Sequence, residues 1–245
     1  MVHAVSRLRA ARLARSAKPF LARGSRSERC PGCRLPISHC MCALCPTATS
    51  GAGVCLIMAD IEPIKPTNTG WLIADVVADT YAFGWARTEA DPALLALLAD
   101  PQWQPYLVFP GEFVTEDRVV TGLIEHKSDP PSGAEVRPLF VLLDATWQEA
   151  RKMFRKSPYL DHLPVLSLQP EQLSRYRLRR AQRAEHLCTA EVATLCLELA
   201  GETKAAETLD AWFDVFCDHY LTARRLVPVD LQNDAHQRLQ KNHPQ

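Results

Sequence analysis

Between residues 54 and 168, short apolar runs alternate with segments of helical periodicity, and this alternation leaves the chain few architectures. Residues 54–58, 81–85, 106–109, 139–143 and 165–168 have the length and the branched or aromatic content of strands. Helical patterns occupy 68–78, 92–99 and 148–154, then 190–200 and 208–221. A strand–helix alternation of this kind predicts an α/β fold, a mostly parallel sheet with helices on both faces. Leu209, Trp212, Phe213, Phe216 and Tyr220 recur at helical spacing and read as core.

The densest stretch is 139–160, LFVLLDATWQEARKMFRKSPYL. A buried-strand run ends on Asp144, followed by Thr146 and Trp147. A helix then sets Ala150, Met153 and Phe154 on one face and Arg151, Lys152, Arg155 and Lys156 around it. Ligands of open α/β sheets bind at the carboxyl ends of parallel strands. An acid, a hydroxyl and an indole there, beside a basic helix, suit a planar polar substrate that carries phosphates. The alternative for the same residues is structural, with Asp144 capping the helix and Trp147 anchoring it to the core.

Hydrophobic residues are 47% of the chain and charged ones 23%, as in globular proteins. No apolar run approaches the ~20 residues that span a bilayer, and no signal-peptide core is visible. A cytoplasmic protein without a membrane partner is therefore expected; the oligomeric state stays open. The net charge of zero hides an asymmetry, because eight basic residues (Arg7, Arg9, Arg12, Arg15, Lys18, Arg23, Arg26 and Arg29) face one acid, Glu28, before Cys30. This segment reads as a basic tail or an RNA-binding arm, with a transit peptide ranked below both. A third basic cluster follows the helix, at Arg175, Arg177, Arg179, Arg180 and Arg183.

Nine cysteines in such a chain point to thiols or metal rather than disulfides. Cys30, Cys33, Cys40 and Cys42 place four thiols within thirteen residues. Two close pairs supply the tetrahedral thiolate set that Zn²⁺ favours. His39 and Cys45 compete for a ligand position. Cys55, Cys188, Cys196 and Cys217 sit in apolar or helical contexts and read as small core residues.

Further strings accompany Asp144-Ala145-Thr146-Trp147: the cysteine cluster, Lys65-Pro66-Thr67-Asn68-Thr69-Gly70, Arg87-Thr88-Glu89, Phe109-Pro110, Tyr176-Arg177-Leu178-Arg179 and Cys188-Thr189-Ala190-Glu191. In this order, over about residues 28–222, the chain closely resembles the DTW-domain family of tRNA-uridine aminocarboxypropyltransferases. That family looks related to the knotted SPOUT RNA methyltransferases. The resemblance implies a SPOUT-like knotted transferase domain at 51–225, preceded by a basic, flexible segment at 1–27 and a zinc module at 28–50. Residues 226–245 read as a polar tail. The family pattern favours Cys30, Cys33, Cys40 and Cys42 as the ligands of a structural Zn²⁺.

The resemblance further implies transfer of the 3-amino-3-carboxypropyl group of S-adenosyl-L-methionine to N3 of a tRNA uridine, with release of methylthioadenosine. Asp144 is then the candidate proton acceptor, or a charge that steadies the sulfonium. Thr146 is a candidate donor to a base carbonyl and Trp147 a candidate stacking platform. Donor contacts are expected from Phe109, Pro110, Gly111, Leu143, Leu168, Thr189 and Arg179. RNA contacts are expected from Arg151, Lys152, Arg155, Lys156, Tyr176 and Arg177. Competing assignments are a SPOUT-type RNA methyltransferase using the same donor and a non-catalytic zinc-containing RNA-binding protein.

Overall fold

The computed structural model describes residues 2–17, 27–124, 136–168 and 187–242. Its strands are β1 (Gly53–Met58), β2 (Thr80–Gly84), β3 (Trp103–Val108), β4 (Val119–Val120), β5 (Arg137–Asp144) and β6 (Val165–Leu166). They form one sheet in the order β2-β1-β5-β3-β6-β4, and every pairing is parallel. The helices are α1 (Ala4–Ala14), α2 (Gly70–Val76), α3 (Pro92–Leu98), α4 (Trp147–Arg155), α5 (Thr189–Leu199), α6 (Thr203–Arg225) and α7 (Asp234–Asn242).

β1 and β5 lie inside the sheet and are covered on both faces, which is why their sequences are nearly continuous hydrophobic runs. Alternate residues feed two cores. Val54, Leu56, Met58, Phe140 and Leu142 pack with α2, α5 and α6, where Leu209, Trp212, Phe213 and Phe216 supply the predicted stripe. Trp71 of α2 meets Phe216 edge-on, with ring centroids 5.6 Å apart. Cys55, Ile57, Leu139 and Val141 face the other way, onto Leu94, Leu97 and Leu98 of α3 and Ala150 and Met153 of α4. The expected parallel α/β sheet with helices on both faces is the fold observed. Cys55 and Cys196 are fully buried and Cys188 and Cys217 partly so, as small core residues.

The two ends of the chain differ from the expectation. The segment read as a flexible basic tail contains α1, opened by a capping box between His3 and Ser6. Val5, 1% exposed, enters the first core, and Arg12 grips both carboxylate oxygens of Asp60 at 2.7 Å. One fully buried apolar side chain per helix is too faint a signal for periodicity to detect. The tail read as polar contains α7, held to α6 by Leu239, by the His219–His236 contact and by Arg238 bridging Asp210 and Asp214. The connection from β6 to α5 runs through 169–186, so the expected knot lies outside the described residues. The Pro130–Gly133 loop predicted from composition lies there too.

Candidate active site

Asp144 is the last residue of β5, opposite Met58 at the end of β1. Its side chain is fully buried. The Asn68 amide donates to Oδ2 at 2.7 Å and the Thr189 hydroxyl to Oδ1 at 2.7 Å. Its main-chain carbonyl accepts from Ala59 N at 3.0 Å. Three segments distant in sequence thus converge on one carboxylate: the loop after β1, the end of β5 and the start of α5. Backbone crowds in as well, since a Cβ at Gly70 would stand 2.5 Å from Asp144 Oδ2, so residue 70 needs to be glycine.

Asp144 does not cap α4. That role belongs to Thr146, which accepts from Glu149 N at 3.4 Å while Glu149 Oε2 accepts from Thr146 N and Oγ1. The Thr146 hydroxyl proton is therefore engaged in a capping box, which argues against its donating to a base carbonyl. Likewise Thr69, expected to open α2, makes no side-chain cap there and instead accepts from Ala190 N at 3.3 Å, at the start of α5.

The loop after β1 holds groups that sequence reasoning passed over. Glu62 is fully buried; its Oε1 accepts from Lys65 Nζ at 2.6 Å and its Oε2 from Asn68 Nδ2 at 3.3 Å. An acid three residues before a lysine within an apolar string, IEPIKP, was the available sign. Arg34, from the cysteine segment, is buried against this loop. It donates to the carbonyls of Pro63 (3.1 Å) and Lys65 (3.5 Å) and lies 4.5 Å over the Trp71 ring. Burial, with Arg9 nearby, lowers the guanidinium to about 9, while Asp75 and Asp144 favour its charge, so it stays protonated at neutral pH.

At the end of β3, Phe109 lies parallel to Phe154 (centroids 4.4 Å apart) and to Trp147 (5.4 Å). Phe113 meets Trp147 edge-on at 5.7 Å, and Arg151 sits 4.8 Å over Phe113. Trp147 thus packs α4 against the sheet end while remaining partly exposed. Lys152 lies 5.8 Å over Trp85, whose indole N–H donates to Ser157 Oγ at 2.9 Å. Arg151, Lys152, Arg155 and Lys156 are all exposed, forming one basic face beside the aromatic group.

Pro110 precedes a 3₁₀ turn, Gly111–Phe113, and Gly111 N donates to Ser167 Oγ at 3.0 Å, joining the ends of β3 and β6. Ser167 was not foreseen. Leu143 and Leu168 are partly buried and pack on opposite cores. Arg87 and Glu89 are exposed on the loop after β2. Tyr176, Arg177 and Arg179, with the rest of that basic cluster, lie outside the described residues.

The four thiols do meet. The Sγ atoms of Cys30, Cys33, Cys40 and Cys42 lie within 4.8 Å of one another, with Cys30–Cys40 at 3.5 Å, Cys30–Cys42 at 3.6 Å and Cys33–Cys40 at 3.8 Å. A tetrahedral ion with ~2.3 Å metal–sulfur bonds requires sulfurs about 3.8 Å apart, so the set fits such an ion. Gly32 permits the turn, because a Cβ there would stand 2.9 Å from Cys42 Sγ. Burial pushes the Cys30 thiol up, but N–H groups of Cys33 and Gly32 and the neighbouring thiols outweigh it and leave it lowered to about 7. Cys45 instead hydrogen-bonds toward Pro46 and Asp75, and His39 joins Val227 and Ser38, so neither belongs to the cluster.

No helix among the described residues is long and apolar enough to cross a membrane. One curated relative, from Drosophila melanogaster, is named tRNA-uridine aminocarboxypropyltransferase 2. It is 24% identical over 207 residues, covering 80% of this chain and 76% of that protein. No solved structure gives a significant match. The DTW domain family matches residues 27–221, which takes in the thiol cluster, the loop around Asn68, the Asp144 strand end and the start of α5, and the chain belongs to that family.

Proposed function

We propose that the protein transfers the 3-amino-3-carboxypropyl group of S-adenosyl-L-methionine to N3 of a uridine in tRNA. The N3–carbon bond forms as the carbon–sulfur bond breaks, the N3 proton is released to water, and methylthioadenosine departs. The observation that carries this is the convergence of Asn68 and Thr189 on the Asp144 carboxylate. That node joins three strings of a DTW-family chain at the ligand-binding end of a parallel sheet. The relative's name supports transfer of an aminocarboxypropyl group to a tRNA uridine.

Fully buried and held by Asn68 and Thr189, Asp144 serves by charge and position rather than by taking the N3 proton directly. It holds the loop after β1 and the α5 start in register and sets a negative charge near the sulfonium. The turn after Phe109-Pro110, with Ser167 and Leu168, forms the donor side together with Leu143 and Thr189. The target uridine has to leave its stack to reach the strand ends. Trp147 with Phe109 and Phe113 offers it an aromatic wall, and Arg151, Lys152, Arg155 and Lys156 take neighbouring phosphates. Cys30, Cys33, Cys40 and Cys42 hold Zn²⁺. Four protein ligands close its coordination, so the ion supplies folding energy to the module.

The test is nucleoside mass spectrometry of tRNA from a strain lacking the gene. Loss of 3-(3-amino-3-carboxypropyl)uridine, restored by the wild-type gene, is expected. Loss of a methylated nucleoside instead would reassign the protein as a methyltransferase.

A further inference from the structure

Lys65 lies at the end of the sheet that holds Asp144, in the loop between β1 and α2. Its ammonium is fixed 2.6 Å from Glu62, whose side chain is fully buried, while the lysine side chain keeps 22% exposure. Burying a carboxylate to hold a loop lysine is no route to stability, because desolvation offsets the attraction. What the pair accomplishes is to set one cation at a defined, reachable place. Arg34 fixes the backbone beneath it through the carbonyls of Pro63 and Lys65.

Three residues on, Asn68 uses both amide hydrogens on carboxylates, Glu62 Oε2 and Asp144 Oδ2. Those acceptors fix the amide's orientation. Its Oδ1 is then left buried without a hydrogen-bond partner among the described residues. A buried acceptor in that state is unfavourable unless a donor arrives. With Glu62 and Asp144 alongside, the donor that suits the place best is cationic.

We propose that Lys65 binds the α-carboxylate of the donor's 3-amino-3-carboxypropyl arm and that Asn68 Oδ1 accepts from its α-ammonium. The assignment rests on the aminocarboxypropyl-transfer reading above and names the subsite that reading requires. A fixed cation and an unpartnered acceptor complement the two charges of an α-amino acid. The donor's methyl group carries neither charge and has no counterpart here. Methylthioadenosine lacks both groups as well, so the product side of the reaction binds without these contacts and is released more readily than the donor.

Calorimetry on the full chain tests this with three probes: S-adenosylmethionine, decarboxylated S-adenosylmethionine and methylthioadenosine. Wild type is expected to bind S-adenosylmethionine at least about tenfold more tightly than the decarboxylated analogue, the scale of one charge-assisted hydrogen bond. Lys65→Met should bring those two affinities to parity by weakening only the first, and Lys65→Arg should retain most of the preference. Thermal melts accompany each variant. Should Lys65→Met unfold because Glu62 loses its ion pair with Lys65, the Glu62→Gln/Lys65→Met double variant removes both charges and is expected to show the same parity. Equal affinities in wild type overturn the proposal. So does a folded Lys65→Met that keeps the preference, including one that loses tRNA affinity instead. A wild-type protein that binds no S-adenosylmethionine fails at the earlier step and removes the transfer reading itself.

Discussion

At the scale of single residues, the account turns on Asp144 as an organising carboxylate. Replacing it with Asn lets the amide oxygen keep Asn68 Nδ2 but turns N–H₂ toward the Thr189 hydroxyl, which must give up the bond it donates in order to accept. Asp144→Asn should therefore lower stability by about 1–3 kcal/mol, the usual scale for a buried group that loses its partner. Turnover should fall by roughly 10²-fold, the scale of a misplaced reacting group. Thermal melting and single-turnover transfer would check the two halves separately. Asp75 illustrates a different residue-level effect. Burial pushes its carboxyl up to about 6 from 3.8, against the opposing pull of the Trp212 N–H and Arg34. The native state then holds a proton that the unfolded chain has already released between those values. That contribution to stability is complete below 3.8 and is lost as pH rises through about 6. Asp75→Asn should remove this slope and gain on the order of 2–3 kcal/mol over wild type above pH 7, read from denaturant melts across pH. His3, 3.5 Å away, is pushed down to about 4 by burial and by Arg34, so at neutral pH the contact joins a neutral imidazole to a carboxylate. Its own contribution runs the other way, present above 6.5 and lost as pH falls through about 4.

Among the elements, the cysteine segment and α4 make separable predictions. Cys33 and Leu35 lie in the main core while Arg34 between them reaches the loop after β1, with its own backbone in the left-handed region at φ 65°. Metal loss should therefore be felt at the strand ends. Cys33→Ser and Cys40→Ser are expected to lose bound zinc and much of their solubility, and one zinc per wild-type chain should be found by elemental analysis. Full zinc in a Cys30/Cys33 double variant would falsify the ligand assignment. For α4, reversing Arg151 and Arg155 to Glu should weaken tRNA binding and reduce the slope of affinity against salt by about two. The fold should persist, because both side chains are exposed and the helix buries only Ala150 and Met153 fully. An unchanged slope would move the RNA face to another surface.

Over the whole molecule, the strands and helices of the sheet were legible because parallel strands covered on both faces leave continuous apolar runs, as in β1 and β5. What the sequence could not convey were the long-range polar contacts. Asn68 and Thr69 looked like the start of α2, and only the fold brings them to Asp144 and Ala190. Glu62, Arg34 and Ser167 have ordinary local contexts and acquire meaning from partners far along the chain or buried beneath it. The two-residue β4 and the terminal helices α1 and α7 bury too few apolar side chains to register. The thiol cluster was legible because four ligands fall within one short segment. The central claim concerns which carbon of the donor moves. It is tested most directly by giving purified protein and unmodified tRNA two preparations of S-adenosylmethionine, one labelled in the aminocarboxypropyl carbons and one in the methyl group. Label from the first is expected to become bound to tRNA at uridine N3, and label from the second to leave entirely as methylthioadenosine. Methyl label bound to tRNA, or neither label bound by a folded, zinc-loaded protein that binds the donor and a full set of tRNAs, would contradict it.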